Sequence, residues 1–310
     1  MNPQGLRQVV RILLSRKIVL VAAVFVGSFY LVGIFGWIFA PYDYRVQDFD
    51  VIRQGPSSAH WFGTDLLGRD LFTRILYAAR TSTILSLAVA LIGGLPIGVA
   101  LGMIAGYYGK WVDFIIMRVG ELLVSVPALF LILFLRATVR DRYDGFIFEN
   151  LGSFGETLAR QGWIDLFVIF LVTSLIYWVG PARLFRSQIL VLRSSVFVKS
   201  SIVLGASSGR IIFKHILPQL VPLIVLSGFS MLAGVIGTEI ALSFFGLGIR
   251  PPTPSFGAMI SEVSSIQMLG ASPYLLLFPG MIAALYIFSL LFIEMNTTQV
   301  LSSIYERRRK

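Results

Sequence analysis

The chain has 310 residues, 56% of them hydrophobic and only 14% charged, with a mean hydropathy of +0.82; these values exclude an ordinary soluble domain. It contains no cysteine and two histidines, His60 and His215, so disulfides, thiolate metal sites, cysteine nucleophiles and multi-histidine metal centres are ruled out. The formal net charge of +10 is placed so that it orients a membrane protein, and nucleic acid is excluded as a partner on that ground.

A bilayer core takes roughly 20 apolar residues per helix. Six runs of that length predict an all-α, polytopic membrane protein with six transmembrane helices. The first run, about Ile18–Ala40, is longer than a signal-peptide core and lacks a small-x-small cleavage site. With Trp37 and Tyr42 at its end, suited to an interfacial aromatic belt, it reads as a retained helix. An external segment follows, about Pro41–Ala79. Helices two and three, about Thr83–Ala105 and Phe114–Leu135, are joined by the turn Gly106–Lys110. Helix two carries Gly94, Gly98, Gly102 and Gly106 every four residues, a stripe that permits close helix packing or a face that slides during a transport cycle. A second external loop covers about Arg136–Asp165. Helix four, about Leu166–Phe185, leads into a cytosolic loop; helix five, about Leu217–Ala241, into an external loop; and helix six, about Tyr274–Ile293, into the tail. Pro96, Pro127, Pro222 and Pro279 fall inside these spans and predict local loosening or kinks.

With the N-terminus inside, the cytosolic segments hold Arg7, Arg11, Arg16, Lys17, Lys110, Arg183, Arg186, Arg193, Lys199, Arg210, Lys214, Arg307, Arg308, Arg309 and Lys310, opposed by Asp113 and Glu306. The segments on the other side balance arginines against acids. This positive-inside asymmetry places both termini in the cytosol. The chain divides into residues 1–80 (tail, first helix and external segment), 81–295 (a five-helix core with a cytosolic loop at 186–217) and a basic tail, 296–310.

The most informative segment is Phe197–Pro218. Phe197–Leu204 is a short apolar helix, and Gly205 suits the left-handed residue that ends it. Ser207 or Ser208 can cap a second helix through Phe213, and Pro218 fits the start of helix five. Phe197, Val198, Ile202, Ile211, Ile212 and Phe213 are too apolar for a loop facing only water. They read as anchors in a partner's groove or as a face lying on lipid. Charged residues inside spans are pathway candidates: Arg118 and Glu121 on one helix face, where they can also simply pair, Glu239 near the outer end of helix five, and Glu294 near the inner end of helix six. The external run Trp61–Asp70 (Trp-Phe-Gly-Thr-Asp-Leu-Leu-Gly-Arg-Asp) reads as a glycine-bounded turn folded over the outer mouth or touching an external partner, rather than as an acid–base site with His60. No phosphate-binding Gly-x-x-x-x-Gly-Lys-Ser/Thr loop occurs, so the chain carries no ATPase site of that type.

The Phe197–Pro218 loop resembles the cytosolic signature of ATP-binding-cassette importer permeases, with Gly205 and Leu217-Pro218 at the matching places. Trp61–Asp70, Ala241–Gly257 and Phe278-Pro279-Gly280 resemble segments of the second, C-type permease of dipeptide, oligopeptide and nickel importers. The resemblance covers about residues 10–295 and implies a type I importer (MetI-like) permease core. It also implies a non-catalytic membrane subunit in a bacterial inner membrane, translocating peptides or a similar small solute such as a nickel chelate. The implied partners are a paralogous permease in a heterodimer, two ATPase subunits carrying the ATP and Mg, and an extracytoplasmic substrate-binding protein; the chain itself binds no cofactor. On this resemblance the ATPase-coupling residues are Phe197, Lys199, Ser200, Ser201, Gly205, Ala206, Ser207, Arg210, Phe213, Leu217 and Pro218. The family's Glu-Ala-Ala is replaced by Lys199-Ser200-Ser201, a reversal of charge where the ATPase is expected. The alternative is a secondary transporter or channel subunit working without an ATPase.

Overall fold

The structure, a computed structural model, describes residues 12, 13, 15–127, 130, 131, 134, 138, 153, 155, 157, 158, 161–263 and 266–307. Its regular elements are helices: α1 (Lys17–Phe35), α2 (Leu71–Leu91), α3 (Gly94–Tyr108), α4 (Lys110–Ser125), α5 (Trp163–Tyr177), α6 (Val179–Arg193), α7 (Val196–Val203), α8 (Leu217–Phe244), α9 (Phe256–Glu262), α10 (Ile266–Ala271) and α11 (Tyr274–Arg307). Among the described residues five helical stretches are long and apolar enough to cross a membrane: Lys17–Phe39, Leu71–Tyr108, Trp163–Arg193, Ser208–Phe244 and Tyr274–Ser303. The sequence predicts six. The missing one is the third: its described helix, α4, stops at Ser125, where Val126 turns extended (ψ 125°) because the residue before Pro127 is pushed out of the helical region. Residues 128, 129, 132, 133 and 135 of that expected span lie outside the described residues.

Two of the spans are each built from two helices. Leu71–Tyr108 breaks at Gly93 (φ −92°, ψ −115°), three residues before Pro96. A proline that early in α3 lacks only an amide that would be an orphan anyway, so the break costs little. Trp163–Arg193 changes over at Trp178, and Pro181 takes the same early place in α6. Pro222 and Pro279 instead sit inside continuous helices.

The glycine stripe of helix two is a packing seam. A Cβ on Gly98 would come 2.6 Å from the Trp178 carbonyl oxygen, one on Gly102 2.6 Å from that of Ala182, and one on Gly106 2.9 Å from that of Arg186. Gly94 faces Tyr177 in the same way. Successive glycines meet successive turns in the same order, so α3 and α6 run parallel with their backbones in contact, as small residues allow. Their C-terminal ends therefore share one face of the bundle, where the Arg193 guanidinium lies 5.8 Å over the Tyr107 ring.

Two apolar clusters fill the interior. One joins α2, α3, α5, α6 and α8 through Val89, Val99, Phe185, Ile189 and Val235. The other joins α1, α2, α8, α9 and α11 through Phe29, Ala78, Ile236, Phe256 and Tyr286, with the hydroxyls of Tyr30 and Tyr286 2.5 Å apart inside it. Burying polar hydroxyls in an apolar interior demands such a partner.

Candidate functional site

The loop after α6 has the geometry its sequence predicts. Gly205 is left-handed (φ +78°), and two bonds close the end of α7: Gly205 N–H to Ile202 C=O at 2.9 Å and Ala206 N–H to Ser201 C=O at 3.0 Å. This pair of bonds is the Schellman closure, which satisfies carbonyls that a helix end leaves open. Ser207 then caps the next helical turn, its side chain accepting from the Arg210 amide at 3.4 Å. The turn Ser208–Arg210 runs through a π-helical stretch, Ile211–Ile216, into α8, which begins at Leu217-Pro218.

The loop has two faces. Val198 (0% exposed), Ile211 (1%) and Ile216 (0%) belong to the same apolar cluster as Met103, Phe185 and Ile189. Val198 and Ile211 are therefore not surface anchors, as their apolar character predicts, but the residues that pin the loop to the bundle. Outward stand Val203 and Leu204, each 85% exposed, with Val196, Ile202 and Phe213. Phe197 is at the boundary, 37% exposed. Lys199, Ser200 and Arg210 are exposed, while Ala206 packs partly against the interior. The Ser201 hydroxyl donates to the Phe197 carbonyl at 2.8 Å. The outward face is thus apolar at its centre and basic at its edge.

The pathway candidates separate. Arg118 and Glu121 are exposed on α4 and pair at 3.2 Å, a contact worth a few tenths of a kcal/mol at most. Glu239 is 1% exposed; its Oε1 accepts from the Ser243 hydroxyl at 2.7 Å, beneath the corner where Gly257 packs on Ser243. Glu294, by contrast, lines a cavity of about 510 Å³ with Tyr177, Gly180, Pro181, Ser227 and Ser230. Its wall includes Gly180 and Pro181, just past the changeover at Trp178, which hydropathy alone does not reveal.

On the face opposite the loop, the turn Trp61–Asp70 folds around a buried ion cluster. Asp65, fully buried, accepts from Arg69 Nε at 2.6 Å and from Arg74 Nη1. Arg74 also donates to Glu262 of α9 at 2.6 and 2.8 Å, and Arg69 reaches Glu262 at 3.2 Å. Asp70 caps α2, accepting from the Thr73 amide at 2.7 Å, and its other oxygen meets His60 Nδ1 at 3.0 Å. Asp65 and Asp70 are thereby committed to structure: they lock the external segment onto α2 and α9. Asp165 at the start of α5 holds Arg250 at 3.0 Å on the same face.

Residues 98–301 match the family described as binding-protein-dependent transport system inner membrane component, and residues 6–56 match the N-terminal TM domain of oligopeptide transport permease C. The dipeptide transport system permease protein of Alkalihalophilus pseudofirmus is 35% identical over 278 residues, covering 88% of this chain and 82% of that protein. The glutathione transport system permease protein of Pectobacterium atrosepticum is 35% identical over 277 residues (89% and 83%). The oligopeptide transport system permease protein of Bacillus subtilis is 32% identical over 266 (86% and 79%). Matched over residues 98–301 and to relatives of 32–35% identity along most of its length, the chain belongs to the family of binding-protein-dependent transport system inner membrane components, as a C-type permease subunit.

Proposed function

We propose that this chain is one half of the membrane domain of an ATP-driven importer for peptides or peptide-like solutes such as glutathione, working with a paralogous permease. The loop from Phe197 to Pro218 is the coupling element. Two separate ATPase subunits carry ATP and Mg; their groove takes Val203, Leu204 and Phe213 as anchors, with Lys199 and Arg210 at the rim. A binding protein delivers substrate to the opposite face, the side of Trp61–Asp70. The coupling face lies in the cytosol of a bacterial inner membrane with both termini, in accord with the basic residues gathered there.

The observation that carries this reading is the two-faced loop, pinned inward by Val198 and Ile211 and presenting an apolar, basic-rimmed face outward. An exposed apolar patch of that kind marks an interaction surface. A sixth crossing is part of the proposal. The parallel run of α3 and α6 supports it, since α5 then starts on the face opposite the end of α3. Residues 81–295 then form the core and 1–80 the outer helix and cap. The Glu294 cavity is the stretch of the pathway that this half contributes.

The test is uptake of a radiolabelled dipeptide or glutathione into proteoliposomes holding both permeases, the ATPases and the binding protein. Uptake that needs ATP and the ATPases supports the proposal. Uptake by the permeases alone, driven by a proton or ion gradient, overturns it in favour of a secondary transporter.

A further inference from the structure

On the face opposite the coupling loop a second cavity, about 310 Å³, is walled by Trp37, Tyr44, Arg45, Tyr77, Arg80 and Trp163, among others. Its floor and sides come from five separate parts of the chain: the end of the first span, the external segment, α2, the start of α5 and the segment between α8 and α9. Two arginines in one cavity call for an anion, and neither is spent on one. Among the described residues no carboxylate lies at ion-pair distance from Arg45 or Arg80, and no acidic side chain lines the cavity. Asp43, which acts on the Arg45 guanidinium only through space, is exposed and accepts from the backbone amide of Arg45 at 2.9 Å.

The arginines are instead held in place by rings. The Arg80 guanidinium lies 5.0 Å over the Trp37 ring, and that of Arg45 lies 5.1 Å over Tyr44, with its Nε donating to the Tyr44 hydroxyl at 3.0 Å. Stacking of this kind fixes a guanidinium while leaving its outer N–H groups free to donate, the arrangement that suits phosphate recognition. A fourth feature agrees: Thr253 lines the same cavity, and its hydroxyl is buried with no hydrogen-bond partner. Buried polar atoms of native proteins ordinarily have one.

The height of the cavity identifies the source of the anion. Trp37 stands at the end of the span Lys17–Phe39 and Trp163 at the first residue of Trp163–Arg193. Arg80 lies inside the helical stretch Leu71–Tyr108, three residues, about 4.5 Å of helix rise, before Thr83, where the sequence places the start of the second apolar run. All three mark one membrane boundary, the level at which tryptophans and lipid head groups lie. A zwitterionic head group is disfavoured, because its ammonium meets no acid in the lining and the Trp37 face is already covered by Arg80.

We propose that this cavity binds the phosphate of an anionic phospholipid head group from the leaflet opposite the coupling loop, with Arg45 and Arg80 as its ligands. Charge-assisted bonds of this kind are worth about tenfold in affinity each. The bound lipid clamps the first span to α2 and α5. This site stands independently of the transported solute.

The experiment titrates the delipidated full-length chain in detergent with phosphatidylglycerol, phosphatidylcholine or inorganic phosphate and reads bound adducts by native mass spectrometry. The wild type is expected to retain phosphatidylglycerol at least about tenfold better than phosphatidylcholine. The double variant Arg45→Gln/Arg80→Gln is expected to lose that preference, Arg80→Lys to keep part of it, and Arg183→Gln, on the coupling side, to keep all of it. Equal retention of the two lipids by the wild type overturns the proposal whether or not the variants fold. So does an unchanged preference in a folded double variant. Inorganic phosphate that binds alone and displaces the lipid at equal concentration shows a soluble-anion site instead and overturns the lipid assignment.

Discussion

Replacing Gly205 separates the bend of the coupling loop from its contacts. At φ +78° the residue sits where any side chain with a Cβ is strained, yet a Cβ built there meets nothing within 4 Å. The penalty is therefore conformational, about 1–2 kcal/mol for an ordinary L-residue and more for a β-branched one. Spent on a loop that must hold one bend, that shift changes the ratio of bent to unbent loop by about 5- to 30-fold. The order of effect follows from backbone preference: Gly205→Asn mild, Gly205→Ala intermediate, Gly205→Val severe. The assay compares ATP hydrolysis with solute uptake in proteoliposomes, with the melting temperature of the purified chain alongside. Because Val198 and Ile211 still pin the loop to the interior, the melting temperature should move little. Uptake per ATP should fall in the stated order. Wild-type coupling in Gly205→Val refutes the reasoning, and so does an equal loss for all three variants, since the open space leaves no clash to produce it.

Three further outcomes follow from the geometry. Gly102→Leu drives a side chain into the Ala182 carbonyl across the α3–α6 seam and should lower stability by about 1–3 kcal/mol, read as a melting shift, whereas Gly27→Ala, with open space around it, should not. Asp65→Asn leaves two buried arginines with Glu262 as their one remaining carboxylate and should cost about 3 kcal/mol, seen as faster proteolysis of residues 41–70; Glu262→Gln, whose side chain is 25% exposed, should cost clearly less. Lys199→Glu reverses a charge at the rim of the outward face and should weaken salt-sensitive co-purification with the ATPase by about two- to fivefold; unchanged co-purification makes Lys199 a solvated bystander.

What the sequence made legible is what a residue's own backbone dictates. Gly205 followed by Ser207 announces a helix end and a new cap, and four glycines at a spacing of four announce a close helix contact. What it hid depends on the opposite wall. Val196, Phe197, Val198, Ile202 and Val203 are apolar all round an eight-residue helix, so no periodicity says that Val198 turns inward while Val203 turns out. Likewise Asp65 and Glu262 look free in sequence, because Arg74, the group that joins them, arrives from α2. The breaks at Gly93 and Trp178 were hidden for another reason: hydropathy runs through them unchanged. At Pro127 hydropathy also runs on unchanged, although α4 ends two residues earlier, at Ser125.

The pinned loop and the glycine seam together specify how movement at the coupling face can travel. Val198 and Ile211 share a cluster with Met103 of α3 and with Phe185 and Ile189 of α6, and α3 and α6 are in backbone contact along Gly98, Gly102 and Gly106. Side chains that repack can absorb a displacement, but backbones in contact have no slack to take up, so α3, α6 and the loop move as one body. The nearest places where that body can flex are its own upper ends, Gly93 in α2–α3 and Trp178 in α5–α6, which lie side by side. Gly93 packs on Ser174, and Tyr177 next to Trp178 lines the Glu294 cavity. If the loop is the coupling element proposed above, a push on Val203 and Leu204 is delivered to the wall of that cavity rather than dispersed through the bundle. The outer ends of α2 and α5 stay behind, held by the Asp65–Arg74–Glu262 cluster and the Asp165–Arg250 pair. The molecule is thus divided at the level of the two breaks into a part that the ATPase can move and a part fixed to the outer cap, with the cavity at the division.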